Sequence, residues 1–419
     1  MTEATGLRPR ARDTGVAIAV AMGVMNVSTY GFQMIAARAL GPREYGAFAA
    51  LMNVTMIVGV LALGLQATAA RRISSHPDGV SEIERAILRV TYRSAAMVGA
   101  LLLVLSPVVA LVLRLDSIAS AAVIGFAAVP LTIMGGQAGV LQGERRWLAL
   151  AMVYVAAGVP RLVVGAGIVL WQPSELSAMV AVAVTALAPV VAGSIALRGV
   201  RLPRSSAAEP TGPGVLGEVA RNSQALLAFF ALGNVDVMVA RNVLDGHDAG
   251  LYAAGLIMTK AVLFLPQFVV VVSFPSLSSA HERRRTLMRG LATVAAIGAA
   301  ATAGALLLPG LAMVFVGGSE YAEIESRLWL FAVLGTLLAM LQLLVYAVVA
   351  GQGRRSVYAP WAGVVLVVAL GALSDTPDML LAVVVAADTL LLAVLVTISL
   401  YLARSPVVVE DPPAVGEGV

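Results

Sequence analysis

Polar residues break this chain at a steady beat. Between them lie apolar runs near 15–37, 46–69, 94–113, 117–142, 147–170, 176–197, 222–243, 250–274, 288–315, 328–350, 357–374 and 379–402. A helix that crosses a bilayer needs about 20 apolar residues, and each run meets that length with some tilt. None shows the apolar–polar alternation of a half-buried strand. The first run follows Arg8, Arg10 and Arg12 and could imitate a signal peptide. It is too long for the apolar core of one and leads directly into a second run, so it reads as an uncleaved first helix. The pattern predicts an all-α polytopic membrane protein with about 12 transmembrane helices.

Composition agrees and removes several chemistries. Of 419 residues 59% are hydrophobic and 12% charged, and the mean hydropathy is +0.91. A soluble domain holds about 25% charged residues. With zero Cys there are no disulfides, thiolate nucleophiles or iron–sulfur ligands. His76, His247 and His281 are scattered, without metal-ligand spacing. The single Lys, Lys260, stands outside any phosphate-binding loop pattern, so the chain carries no ATPase motif of its own. No cofactor or metal is expected.

A net charge of +4 could suggest nucleic acid until the basic residues are placed. With the N-terminus inside, 21 of the 28 Lys and Arg fall in inner segments, among them Arg71, Arg72, Arg145, Arg146 and Arg283–Arg285. Only Arg38, Arg43, Arg114, Arg241 and Arg327 fall outside, while Arg161 and Lys260 lie within helices. This bias is that of a cytoplasmic-membrane protein with both termini cytoplasmic. The arginines then face membrane lipids, and no nucleic-acid partner is implied. The outer loops are too short for a catalytic domain, so no enzyme is expected.

The chain also repeats itself. A-R-A-L-G-P-R-E-Y-G-A-F-A-A at 37–50 is echoed by A-R-N-V-L-D-G-H-D-A-G-L-Y-A-A at 240–254. With one gap, Arg38 matches Arg241, Gly46 matches Gly250 and Phe48 matches Tyr252. L-Q-G-E-R-R-W at 141–147 has a weaker echo at 349–358. Two six-helix halves of the same orientation follow, related by an axis along the membrane normal. The division is an N-terminal stub (1–13), a first lobe (14–199), a linker (200–220), a second lobe (221–404) and a disordered tail (405–419). The segment 70–93, with a capping-box pattern at Ser81–Glu84, reads as a loop with a short surface helix.

The 37–50 motif, the A-A-R-R-I-S that closes the second run, N-V-D-V-M-V-A-R at 234–241 and L-Q-G-E-R-R-W together resemble the polysaccharide-exporter (oligosaccharide flippase) family of the multidrug/oligosaccharidyl-lipid/polysaccharide (MOP) exporter superfamily. The resemblance runs in order over most of the chain. It implies a V-shaped pair of lobes that moves a lipid-linked oligosaccharide of the polyprenyl-diphosphate type by alternating access, in company with polysaccharide-synthesis enzymes.

Four ionisable residues lie within spans: Arg161, Asp236, Lys260 and Asp388. A charge in hydrocarbon is costly and needs a cavity or a partner. At about 1.5 Å per residue, Lys260 and Asp388 share a depth of about 15 Å, and Arg161 and Asp236 lie nearer the outer face. Two ion pairs by depth are therefore expected, either touching substrate or only fixing helix packing. Arg38 and Arg241 read as interfacial arginines that snorkel, or as anion contacts at the cavity mouth. Pro107, Pro130, Pro160, Pro189 and Pro266 should kink their helices, and a break at Pro160 could aim Arg161 inward. Tyr45, Tyr252, Trp147, Trp171, Tyr358 and Tyr401 read as an interfacial aromatic belt. The amides of Asn26 and Asn53 could hydrogen-bond between helices. Besides the flippase, a proton- or sodium-coupled multidrug antiporter of the same superfamily fits. Its coupling would fall to Asp236 and Asp388, the only carboxylates in the spans.

Overall fold

The computed structural model describes residues 11–75, 80–198, 214–266, 283–350 and 358–402. All regular structure among them is helical. The first half comprises α1 (Ala11–Ser75), α2 (Val80–Val104), α3 (Ser106–Val112), α4 (Ile118–Gly143), α5 (Trp147–Pro160), a π-helical stretch (Arg161–Gly165), α6 (Ala166–Trp171), α7 (Glu175–Thr185) and α8 (Leu187–Leu197). The second comprises α9 (Gly214–Val243), α10 (Gly246–Phe264), α11 (Arg283–Leu307), α12 (Pro309–Val316), a 3₁₀ stretch (Ser319–Arg327), α13 (Leu328–Ala350), α14 (Tyr358–Gly371) and α15 (Pro377–Leu402).

These elements resolve into the twelve expected crossings. Gly41, at φ 70° and ψ 173°, folds α1 into limbs of residues 11–40 and 42–75. A glycine takes that φ without a Cβ clash, and Pro42 suits the first turn of the next limb. Prolines divide other crossings. Leu105 separates α2 from α3 ahead of Pro107, and Leu308 separates α11 from α12 ahead of Pro309. Pro160 is followed by the π-helical stretch that begins at Arg161. Pro130, in contrast, lies inside an unbroken α4. Eight stretches, the first of them the double-length α1, are long and apolar enough to span a bilayer. The chain is a multi-pass membrane protein built of twelve helical crossings in two halves.

Two expectations change. Residues 80–93 do not form a separate surface helix. They are the first turns of α2, and Glu84 is buried there. Helix α9 begins at Gly214, inside the expected linker. Residues 199–213 and the tail lie outside the described residues.

The loops after the odd-numbered crossings gather at one face, here termed distal because it lies opposite the end where α1 begins. Arg43 meets Asp116 at 3.2 Å, Glu44 accepts from the Glu175 amide at 2.8 Å, and Arg327 meets Asp378 at 2.5 Å. Within the first lobe, α4 lays Gly135, Gly139 and Gly143 along residues 62–73 of α1. A Cβ on Gly139 would lie 2.6 Å from the Gln66 carbonyl oxygen, so the backbones touch. Lipid offers no hydrophobic drive between helices, and such small-residue stripes supply the packing instead.

The lobes meet along a seam between α1 on one side and α9, α10, α12 and the 3₁₀ stretch on the other. At its centre Gly46 lies against Gly250, where an added Cβ would come within 1.8 Å of the Pro42 carbonyl oxygen. These two glycines are the matched pair of the repeat, so the repeat axis passes through their contact. Tyr45 stands in this seam and Tyr252 inside the second lobe, 3% and 0% exposed, and neither belongs to an interfacial belt. Trp171 and Tyr358, at 87% and 70%, keep the expected exposure.

Candidate functional site

Three of the four intramembrane charges belong to the second lobe, and of these Lys260 reaches across the seam. Asp236 is buried on α9. Its Oδ2 accepts from the Tyr252 hydroxyl at 3.0 Å, and its Oδ1 accepts from the Val237 amide at 2.9 Å. Lys260, on α10, reaches across to the first lobe and donates to Asn53 Oδ1 at 3.2 Å. The Met56 sulfur lies 4.0 Å from the same ammonium. Asp388 on α15 is 1% exposed, and its Oδ1 has no hydrogen-bond partner.

Neither predicted ion pair forms. Lys260 acts electrostatically on Asp236, and Asp388 acts on both Asp236 and Tyr252. The second lobe thus holds Asp236 within electrostatic reach of both Lys260 and Asp388, with the Tyr252 hydroxyl bonded to Asp236. Equal depth fixes one coordinate only. Rotation about the helix axes decides the partners, and it turns Lys260 toward the opposite lobe.

Arg161 stands apart. Pro160 opens the helix into the π-helical stretch, as the sequence suggested, but Asp236 is not its partner, and Arg161 Nε is buried without one. Beside it, residues 17–24 of α1 and 148–160 of α5 line an almost wholly apolar groove of about 630 Å³.

Several site residues escape a search for charge. Asn53 is fully buried, and besides accepting from Lys260 it donates to the Asn234 carbonyl at 3.5 Å. It thereby joins the lobes as the interhelical amide that its place in an apolar run implied. The Tyr30 hydroxyl donates to the Lys260 carbonyl at 3.5 Å, and its ring packs on Phe264. Gln33 is buried in the same pocket as Asn53 and Lys260. Those lone amides and hydroxyls were visible in the apolar runs. Their convergence was not.

The pocket at this centre measures about 10 Å³, room for about one water. Among the described residues, the hydrogen bonds and ring contacts between lobes all lie between the distal loops and the level of Tyr30, Met56 and Phe264. The distal half of the seam is therefore shut.

Above it, Arg38 and Arg241 each donate to backbone carbonyls of the opposite lobe. Arg38 Nη2 donates to the Val314 carbonyl at 2.6 Å. Arg241 Nε and Nη2 donate to the Leu113 and Arg114 carbonyls at 3.1 and 2.8 Å. Arg241 also lines a polar cavity of about 450 Å³ at the distal face, with Arg43, Glu44, Asp116, Glu175 and His247.

No protein-family model matches the chain, and no curated protein matches it in sequence. Solved structures do match its shape. A multidrug resistance MATE family transporter of the MOP superfamily, in an inward-facing conformation, superposes with a TM-score of 0.72 at 14% identity, covering 93% of this chain and 98% of that chain. A transporter of the same description in an outward-facing conformation gives 0.65 at 13%, covering 93% and 95%. The MATE multidrug transporter DinF-BH, in complex with R6G, gives 0.69 at 15%, covering 96% and 97%. At these identities the match establishes the fold.

Proposed function

We propose that this protein is a cation-coupled transporter that moves an amphipathic compound across the cytoplasmic membrane by alternating access of its two lobes. The observation that carries this reading is the buried group formed by Asp236, Asp388 and Lys260 beneath a closed distal seam. With all three ionised the group holds two negative charges against one positive. A proton or sodium ion taken up there would remove the excess. Buried carboxylates in a membrane mark such relays, because they tolerate isolation only with a counter-charge. The arginine bias makes the distal face the outer one, so the seam is shut to the outside and the carboxylates exchange with the cytoplasmic side. The solved MATE transporters of this fold include one in complex with R6G, which supports the class of cargo.

One observation favours a second reading, a flippase for a polyprenyl-diphosphate-linked oligosaccharide. The apolar groove between α1 and α5 ends at Pro160, next to Arg161. A lipid tail would fit the groove and a diphosphate would suit the guanidinium.

Reconstituted vesicles separate the two. Coupled transport predicts that an imposed proton or sodium gradient drives R6G accumulation, and that Asp236→Asn and Asp388→Asn abolish it. Gradient-independent movement of a fluorescent polyprenyl-diphosphate oligosaccharide, lost in Arg161→Gln, with no R6G transport, would replace the first reading by the second.

A further inference from the structure

The end of α3 is a helix terminus finished by the other lobe. Arg114 follows it with φ 49°. The Leu115 amide donates to the Ala110 carbonyl at 2.9 Å and the Arg114 amide to the Leu111 carbonyl at 3.2 Å. This is the Schellman pattern, and it satisfies two of the terminal carbonyls. Those of Val112, Leu113 and Arg114 stay open. All three are taken by two consecutive residues at the end of α9. Asn242 Nδ2 donates to Val112 at 2.9 Å, and Arg241 caps Leu113 and Arg114. A cation at a helix C-terminus also meets the negative end of the helix dipole.

The same arrangement recurs with the lobes exchanged. Helix α12 ends the third crossing of the second half, as α3 ends that of the first. Both carry a proline in their first two residues, Pro107 and Pro309, which stand 202 residues apart, close to the 203–204 that separate Arg38 and Leu40 from Arg241 and Leu244. The end of α12 turns at Gly317 and Gly318, whose amides both donate to the Met313 carbonyl. The Val314 carbonyl beyond it is capped by Arg38 of the first lobe. Tyr321, just past that end, donates in return to the Ala37 carbonyl at 2.8 Å, in the last turn before Gly41.

We infer that Arg38 and Arg241 are a reciprocal latch: each lobe's arginine caps the open carbonyls of the other lobe's third crossing, and the two together hold the distal gate shut. Opening the distal side strips both helix ends of their caps at once. The inference rests on alternating access between the lobes and on no particular cargo.

The absence of cysteine makes the test direct. Gln172→Cys and Asp375→Cys place spin labels on exposed distal loops of the two lobes, outside the latch. In lipid nanodiscs the parent should give one short distance in double electron–electron resonance. Arg38→Gln and Arg241→Gln should each shift the closed-to-open ratio by about tenfold, since a hydrogen bond to a charged group has that order of effect. The double variant should open further than either. Arg241→Lys, which exchanges a two-pronged donor for a point donor, should open more than Arg38→Lys. A folded double variant with the parent's distance distribution overturns the latch. So does opening by Arg241→Gln with none by Arg38→Gln, because reciprocity then fails. If a variant does not survive purification, labelling of Met52→Cys, which lines the seam pocket with Asn53 and Lys260, by a membrane-impermeant maleimide added to intact cells reads the same gate. Faster labelling in the arginine variants supports the latch, and unchanged labelling overturns it. Because no cargo enters these readouts, failed R6G transport would count against the proposed function and leave the gate result intact.

Discussion

Tyr252 shows how position along the chain can misplace a side chain. An aromatic near a loop suggests an interfacial belt, yet its hydroxyl is spent inside the second lobe on Asp236. Tyr252→Phe removes the one side-chain donor to that carboxylate among the described residues while keeping the ring against Phe331. Loss of a buried bond to a charged group costs about 1–3 kcal/mol. The variant should therefore melt at a lower temperature in a detergent thermal-shift assay, while its R6G transport moves its proton or sodium dependence. An unchanged ion dependence would place Tyr252 outside the coupling group. Asp236, Lys260 and Asp388 were legible because a charge in an apolar run is conspicuous. Their partners were not, because the sequence gives depth along an axis and withholds the rotation around it.

Helices here are held by contact between backbones more than by side-chain bulk. Gly139 of α4 sits on Gln66 and Ala69 of α1. Gly139→Leu would push these helices apart, and overpacking of this kind costs about 1–3 kcal/mol. The expected outcome is a lower melting temperature and reduced yield of folded protein, with Gly23→Leu as control, since a Cβ there meets nothing within 4 Å. The end of α3 offers the opposite sign. Arg114 takes a left-handed φ that glycine adopts freely, and its side chain is exposed. Arg114→Gly keeps the carbonyl that Arg241 caps and relieves the backbone, for a gain of about 0.5–1 kcal/mol. A fall in melting temperature would show that the Arg114 side chain matters more than its backbone. The number and order of the crossings were legible, since bilayer thickness sets the length of each apolar run, but α2 and α9 begin at Val80 and Gly214, ahead of the apolar runs at 94 and 222. The helix expected at 80–93 as a separate surface element instead runs on into α2 and buries Glu84 and Thr91.

At the scale of the whole molecule, the two lobes touch where the repeat predicts an axis, and that contact tolerates no side chain. Gly250→Ala puts a Cβ 1.8 Å from the Pro42 carbonyl oxygen, too close for any local adjustment. The distally closed state should lose population, seen as a longer Gln172→Cys to Asp375→Cys distance. An unchanged distance would mean that the lobes close without this contact. Hydrophobic run length, arginine bias and the repeated motif by themselves determined twelve crossings, two equivalent lobes and a glycine in each lobe at matching places, because each is a property of position along one chain. Only the tertiary structure decided that Lys260 crosses to Asn53, that Asp388 is left without a bond, and that Arg38 and Arg241 cap each other's lobes. Those facts depend on how two halves turn toward one another, and the packing of buried backbones sets that turn.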